Sequence, residues 1–261
     1  MPQLEHHVLH PDERRYATPL LLLHGAWHGA WCWHDAMTDF AARGFEVHAI
    51  SWRGHGGSDR PRSINLVGVR DYVRDLVLAI EAIDPRPVVV AHSLGGYLTQ
   101  LCLTEQELAG AVLLCSAPPN GVLLFLLRYA RRHPLVYLRI LATLNLRHMV
   151  GTPDLAREAF FRDDIAPDLL QRYTAQLVPE SLRAAIDASL LTFPRPQCNR
   201  SPVLVVAAEC DTIFTLDEQR ALARAYNAEL LIVPQAAHDL MLDPAWAQAA
   251  DAIEDFVNRK S

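Results

Sequence analysis

Six short apolar runs recur along the chain, at 19–25 (PLLLLHG), 45–51 (FEVHAIS), 87–93 (PVVVAHS), 110–117 (GAVLLCSA), 202–209 (PVLVVAAE) and 228–234 (AELLIVP). Several are apolar at successive positions, so both faces of each strand must be covered, as in parallel sheets flanked by helices. Between them Leu66, Val69, Tyr72, Val73, Leu76, Val77, Ile80 and Ile83 recur at steps of three and four, which predicts one helical face. Thr215 with Glu218 predicts a capping box, and Asp243 with Pro244 an N-cap and first-turn pair. Strand and helix alternate over most of the chain, so the predicted fold class is α/β with a mostly parallel sheet flanked by helices. Residues 3–9 are predicted to add an antiparallel edge strand.

One segment breaks the alternation. Residues 119–200 carry helical patterns punctuated by prolines and no strand pattern, which predicts a helical cap inserted into a core formed by 1–118 and 201–261. The first part of the insertion, GVLLFLLRYARRHPLVYLRILATLNLRH, mixes leucine with arginine and contains no acid. A basic amphipathic helix of this kind suits an anionic membrane surface. A cap helix with its apolar side on the core is the favoured reading. Leu123 to Leu127 hold more apolar residues than one helical stripe requires, so part of that surface needs a second partner. The expectation is that it roofs an acyl pocket while the arginines stay solvated.

Composition narrows the partners. A chain of 261 residues with 51% hydrophobic and 21% charged residues has ample core material. Its net charge of -6 argues against a nucleic-acid partner, whose phosphates call for excess positive charge. Five cysteines, Cys32, Cys102, Cys115, Cys198 and Cys210, show no C-x-x-C spacing and are expected to be buried, reduced thiols. The opening MPQLEHHVLH lacks a basic stretch followed by an apolar one, and no apolar run approaches the roughly 18 residues of a membrane span. A cytoplasmic location follows as an expectation; the oligomeric state is not readable.

Ser93 lies where a predicted buried strand ends and a helix begins, in VVVAHSLGGYLTQL. A nucleophile elbow occupies that place, and its strained turn requires small residues two positions either side. Gly95 meets that need, and Ala91 meets it with one extra methyl. A serine nucleophile needs a base, and the base an orienting carboxylate. Asp211 follows the strand PVLVVAAE and His238 follows AELLIVP, so all three fall beyond the carboxyl ends of parallel strands, where open α/β sheets place their sites. Glu209 and Asp239 are rival acids, with Asp211 preferred.

On these residues the chain resembles the α/β-hydrolase superfamily. LLLHGAWHGAWCW resembles the oxyanion loop of the branch that holds plant methylesterases and hydroxynitrile lyases, and of many bacterial esterases; SWRGHGGS is similar to the family's loop after the next strand. The resemblance implies an α/β-hydrolase fold and an oxyanion hole made by the backbone N–H groups of Ala26 and Leu94. Serine at position 93 excludes the family's aspartate-nucleophile dehalogenases and epoxide hydrolases. The family's plant lyases carry threonine after the first histidine of the oxyanion loop and lysine after the catalytic histidine, where this chain has Gly25 and Asp239. The expected activity is therefore hydrolysis of carboxylic esters of small or medium apolar substrates through an acyl-enzyme. A C–C hydrolase or lyase using the same residues is the alternative, and a ligand receptor on this scaffold the reading from another class. No cofactor is implied. His24 and His28 in HGAWH have the spacing of a helical zinc pair but lie in a glycine loop with no third ligand nearby, so no metal is expected. Trp27, Trp31 and Trp33 are candidates either for the acyl pocket or for packing of the oxyanion loop.

Overall fold

The computed structural model describes residues 2–259; Met1 and the last two positions of the predicted core segment, Lys260 and Ser261, lie outside the described residues. Seven strands form one sheet: β1 (His6–Leu9), β2 (Leu20–Leu23), β3 (Val47–Ile50), β4 (Val88–His92), β5 (Gly110–Leu114), β6 (Val203–Ala208) and β7 (Glu229–Val233). Their order is β1-β3-β2-β4-β5-β6-β7, with β1 antiparallel to β3 and every other pair parallel. The predicted edge strand at 3–9 is thus present, and its exposed residues suit an edge.

Helices α1 (His34–Ala42), α2 (Val69–Glu81) and α3 (Leu94–Glu105) follow β2, β3 and β4. Alternation along the strands sends neighbouring residues to opposite faces. Leu20, Leu22, Val88 and Val90 pack on the side of α1, while Leu21, Leu23, Val89 and Ala91 pack on the side of α2 and α3. On α2 the predicted face is buried at Val69, Tyr72, Leu76 and Ile80. Leu66 departs from it, standing in a 3-10 turn ahead of the helix and exposed.

Between β5 and β6 the described residues form helices and no strand: α4 (Leu123–Arg132), α5 (Pro134–Thr143), α6 (Pro153–Phe160), α7 (Pro167–Gln176) and α8 (Leu182–Ile186), with a π-type turn over Asp187–Leu191. Pro134, Pro153 and Pro167 each open a helix, where a missing N–H costs nothing and the fixed φ is already helical. Helix α9 (Leu216–Ala225) begins at the predicted Thr215–Glu218 capping box. Helix α10 (Trp246–Asn258) starts later than Asp243 and Pro244 predict. The Asp243 carboxylate instead accepts from the N–H groups of Ala245 and Ala237, and the backbone turns once more before the helix. Cys32, Cys102 and Cys115 are buried, but Cys198 and Cys210 sit in exposed loops, correcting the expectation that all five are interior; all five are free thiols.

Candidate active site

Ser93 joins β4 to α3 with φ 52° and ψ -116°, a conformation that an L-residue adopts only under constraint. The constraint is visible: Ser93 N–H donates to Leu114 O at 3.0 Å, and its carbonyl accepts from Ala117 and Tyr97. Gly95 is needed because a Cβ there would lie 2.6 Å from the His24 carbonyl oxygen. Gly25 is needed for a similar reason, since a Cβ would come within 2.8 Å of both Ser93 Cβ and His92 Nδ1. The loop after β2 therefore lies directly against the turn at Ser93.

The structure brings Asp211 and His238 together. Asp211 Oδ2 accepts from His238 Nδ1 at 2.8 Å, and Oδ1 is held by the N–H groups of Ile213 and Phe214 at 2.8 and 3.0 Å. Both side chains are about 1% exposed. Glu209, the first rival acid, accepts from Gln235 N–H and pins the loop after β7. His238 Nε2 is buried and has no hydrogen-bond partner, so the Asp211–His238 link is closed while no hydrogen bond joins Ser93 to the imidazole. Burial alone would lower the His238 pKa, but the charge and hydrogen bond of Asp211, with the charge of Asp239 behind, outweigh it and raise the pKa above 6.5.

Ser93, Ala26 and Leu94 line one apolar cavity of about 60 Å³, closed by Val122, Leu126 and Met149 among others. Leu94 opens α3, so its N–H has no intrahelical acceptor. A second cavity of about 140 Å³ shares Trp27, Phe125, Met149 and Ile213 with the first and adds the polar groups of Arg128, Arg132, His133 and Glu158. Of the three tryptophans, Trp27 lines both cavities, Trp31 stacks on Tyr173 and Trp33 packs against Trp246 in the core.

Asp239, the second rival acid, turns away from His238. It pairs with His28, whose Nε2 lies 2.9 Å from Asp239 Oδ2 and whose Nδ1 lies 2.8 Å from Ala26 O. The His28 ring thus bridges the Ala26 carbonyl and the Asp239 carboxylate, both of them acceptors. Burial would raise the Asp239 pKa, but His28, with His92 and His238, holds it below the ordinary carboxylate value. His92 donates from Nε2 to the His238 carbonyl at 3.0 Å, and burial keeps that ring neutral. His24 is neutral too, donating from Nδ1 to Gly25 O and accepting at Nε2 from Trp52 N–H. The pairing of His28 with Asp239 was missed by sequence reasoning, which weighed His28 only as a zinc ligand. Glu180 was missed as well: it lines the Ser93 cavity and accepts from Tyr72 while facing His55 at 3.2 Å.

The end of α6 reaches both loops that follow β6 and β7. Thr212 Oγ1 donates to Glu158 O, Asp239 N–H donates to Phe160 O, and the Phe160 ring lies over the His238 ring at 6.1 Å. The loop after β2 is tied to the helical segment between β5 and β6 as well, through Trp27 Nε1 to Leu146 O and Val178 N–H to Trp27 O. Two clusters, His92–His238–Asp239 and Cys115–Asp211–His238, bring possible metal-ligand atoms within 4.8 Å of one another. In the first, His92 Nδ1, His238 Nε2 and Asp239 Oδ1 have no hydrogen-bond partner among the described residues; in the second, Asp211 and His238 bond one another.

Known proteins place this architecture. Norfluorocurarine synthase 1 of Strychnos nux-vomica is 32% identical over 106 residues, 39% of this chain and 40% of its own. Methyl jasmonate esterase 1 of Vitis vinifera is 30% identical over 104 residues, 38% of this chain and 40% of its own. The chain thus spans about 40% of the length of these curated relatives. Among solved structures, an esterase from Exiguobacterium antarcticum superposes with a TM-score of 0.75 at 13% identity, covering 98% of this chain and 96% of its own. The enol-lactonase from Burkholderia xenovorans superposes with a TM-score of 0.71 at 17% identity, covering 98% and 97%. At such identities the likeness is one of fold. The profile of the family described as alpha/beta hydrolase matches residues 20–252, from the first parallel strand into the last helix and through Ser93, Asp211 and His238, and the chain belongs to that family.

Proposed function

We propose that this protein is a serine hydrolase that cleaves carboxylic esters of small or medium apolar substrates through an acyl-enzyme intermediate. The observation that carries the reading is the buried Asp211–His238 pair, whose Nε2 is left without a partner, together with a strained serine that lines an apolar cavity. In this mechanism Ser93 Oγ attacks the ester carbonyl and His238 Nε2 takes its proton. Asp211 holds the ring in the tautomer that leaves Nε2 free and stabilises the imidazolium as it forms. The backbone N–H groups of Ala26 and Leu94 receive the oxyanion, each donor contributing about 3 kcal/mol in comparable sites. His238 then returns the proton to the departing alcohol, and water activated by the same ring releases the acid. Residues 119–200 act as the cap, since Val122, Leu126 and Met149 close the cavity over Ser93.

The lyase alternative has less support than hydrolysis. Position 25 has no room for a threonine side chain against Ser93. Asp239, where the family's plant lyases carry lysine, is turned onto His28 and does not line the cavity. A fluorophosphonate probe and a series of aryl esters test the proposal. Label on Ser93, with loss of label and turnover in Ser93→Ala, is the expected result; label on another serine with Ser93→Ala still active overturns it.

A further inference from the structure

Among the described residues, eleven of fourteen exposed large apolar side chains lie between β5 and β6, and seven of them are leucines between Leu123 and Leu144. No residue of α4 is fully buried, and of α5 only Ile140 is. The expectation that these helices lay their apolar side on the core therefore holds for one side only. Phe125 and Leu126 face inward onto the cavity, while Leu123, Leu124 and Leu127 face solvent. On α5, Leu135, Leu138 and Leu141 recur every third residue and are 79%, 60% and 57% exposed. Large apolar side chains exposed in such number on two successive helices mark a contact with something else.

Charge selects the occupant. From 121 to 153 the chain has five arginines and no carboxylate, in a protein of net charge -6. Arg128 and Arg132 are paired with Glu218 and Glu158, and Arg147 bonds carbonyl groups. Arg131 and Arg139 are exposed and form no ion pair among the described residues, Arg131 four residues after Leu127 and Arg139 four after Leu135. A two-fold dimer through this face would set the two arginines against their own copies with no carboxylate on these helices to offset them. An apolar surface bordered by unpaired guanidinium groups, on helices too short to span a bilayer, instead fits the interface of an anionic lipid surface.

We infer that α4 and α5 dock this protein on anionic membranes. The exposed leucines enter the acyl boundary, Arg131 and Arg139 meet lipid phosphates, and the inner side of α4 carries the cavity roof. The inference is independent of the ester chemistry, because its readout is partition and not turnover. The full-length protein is co-sedimented with vesicles of phosphatidylcholine alone and of phosphatidylcholine with phosphatidylglycerol. Binding to the anionic vesicles, weakened by salt, is expected, with much less on the neutral ones. Arg131→Gln with Arg139→Gln should lower the partition constant about 25-fold, at about fivefold per charge near such a surface. Leu135→Ser with Leu138→Ser should lower it as well, and every variant should hydrolyse a water-soluble short-chain ester at the parent rate. Failure to bind anionic vesicles overturns the inference, as does equal binding to both vesicle types that the arginine changes leave alone. Concentration-dependent self-association abolished by the leucine changes would assign the face to a second copy and overturn it too.

Discussion

His28 Nε2 lies 2.9 Å from Asp239 Oδ2, with neither side chain more than 1% exposed, and the contact joins two loops 211 residues apart in sequence. One loop carries Ala26, whose carbonyl orients the other side of the His28 ring; the other carries His238. The contact therefore fixes the proposed oxyanion donor and the proposed base relative to each other. It also places a fixed negative charge next to the imidazole that must cycle between neutral and cationic.

Breaking that pair should be costly in a particular way. Removing one partner of a buried carboxylate–imidazole hydrogen bond leaves the other unsatisfied, a loss of about 1–3 kcal/mol. Asp239→Asn should lower stability by that order in urea unfolding, and adding His28→Asn should cost less than the sum of the single changes. Because Asp239 helps to raise the His238 pKa, the acid limb of the pH–rate profile should move to lower pH in Asp239→Asn. An unmoved limb and an unchanged unfolding midpoint would remove Asp239 from this role.

The parent enzyme's own profile follows from the same charges. The proposed base, His238, can accept a proton only when neutral, and its pKa is raised, so kcat/KM should fall as pH drops, with its half-point above 6.5. Rates of aryl ester hydrolysis between pH 5 and 9 test this; a half-point below 6.5 under rate-limiting acylation contradicts it.

Asp211 differs from Asp239 in what it holds. Asp211→Asn keeps the shape but favours the wrong imidazole tautomer, a change that reduces turnover ~10⁴-fold in the serine-protease template. The expected loss in kcat approaches that of His238→Ala and far exceeds that of Asp239→Asn. Steady-state kinetics on one activated ester ranks the three.

Acyl-chain selection should reside in the inward residues of α4. Leu126→Ala enlarges the cavity at Ser93 and should shift the preferred acyl length upward, with each accommodated methylene contributing about 0.8 kcal/mol, or roughly fourfold in kcat/KM. Leu127→Ala, on the exposed side, should leave the profile unchanged. A shift in both variants, or in neither, would locate the pocket elsewhere.

Gly25 tests how closely the oxyanion loop must approach the elbow. Its would-be Cβ lies 2.8 Å from Ser93 Cβ, so Gly25→Ala must push the loop outward. Displacements near 1 Å cost about 10²-fold, and the loss should fall on kcat with KM little changed. An unimpaired kcat would show that the loop yields without moving its N–H groups.

The strands, and the strand-end loops that carry the proposed site residues, were legible because each rests on a local signal. Apolar runs marked every parallel strand, and loops at the carboxyl ends of those strands carried Ser93, Asp211 and His238. What escaped depends on pairs distant in sequence. Neither His28 nor Asp239 reveals its partner by spacing, and Glu180 lies in a stretch with no motif, its carboxylate charge kept by His55 and Tyr72 from across the fold. The helix start at Trp246 was displaced because the Asp243 side chain had a stronger use, bonding the loop that leads to His238. The leucines of α4 could be counted in sequence but sorted into inward and outward sets only once the helix was seated.

Glu158 and Phe160, at the end of α6, bond the loops of Asp211 and His238, and Leu146 and Val178 bond the loop of Ala26. The inserted segment is consequently not an interchangeable module. A chimera that exchanges residues 119–200 for a relative's would remove four attachments to the loops around Ser93 along with the pocket walls. Transplanting selectivity between such proteins then requires carrying over the backbone acceptors at 146, 158 and 160 and the donor at 178, not merely the side chains that touch the substrate.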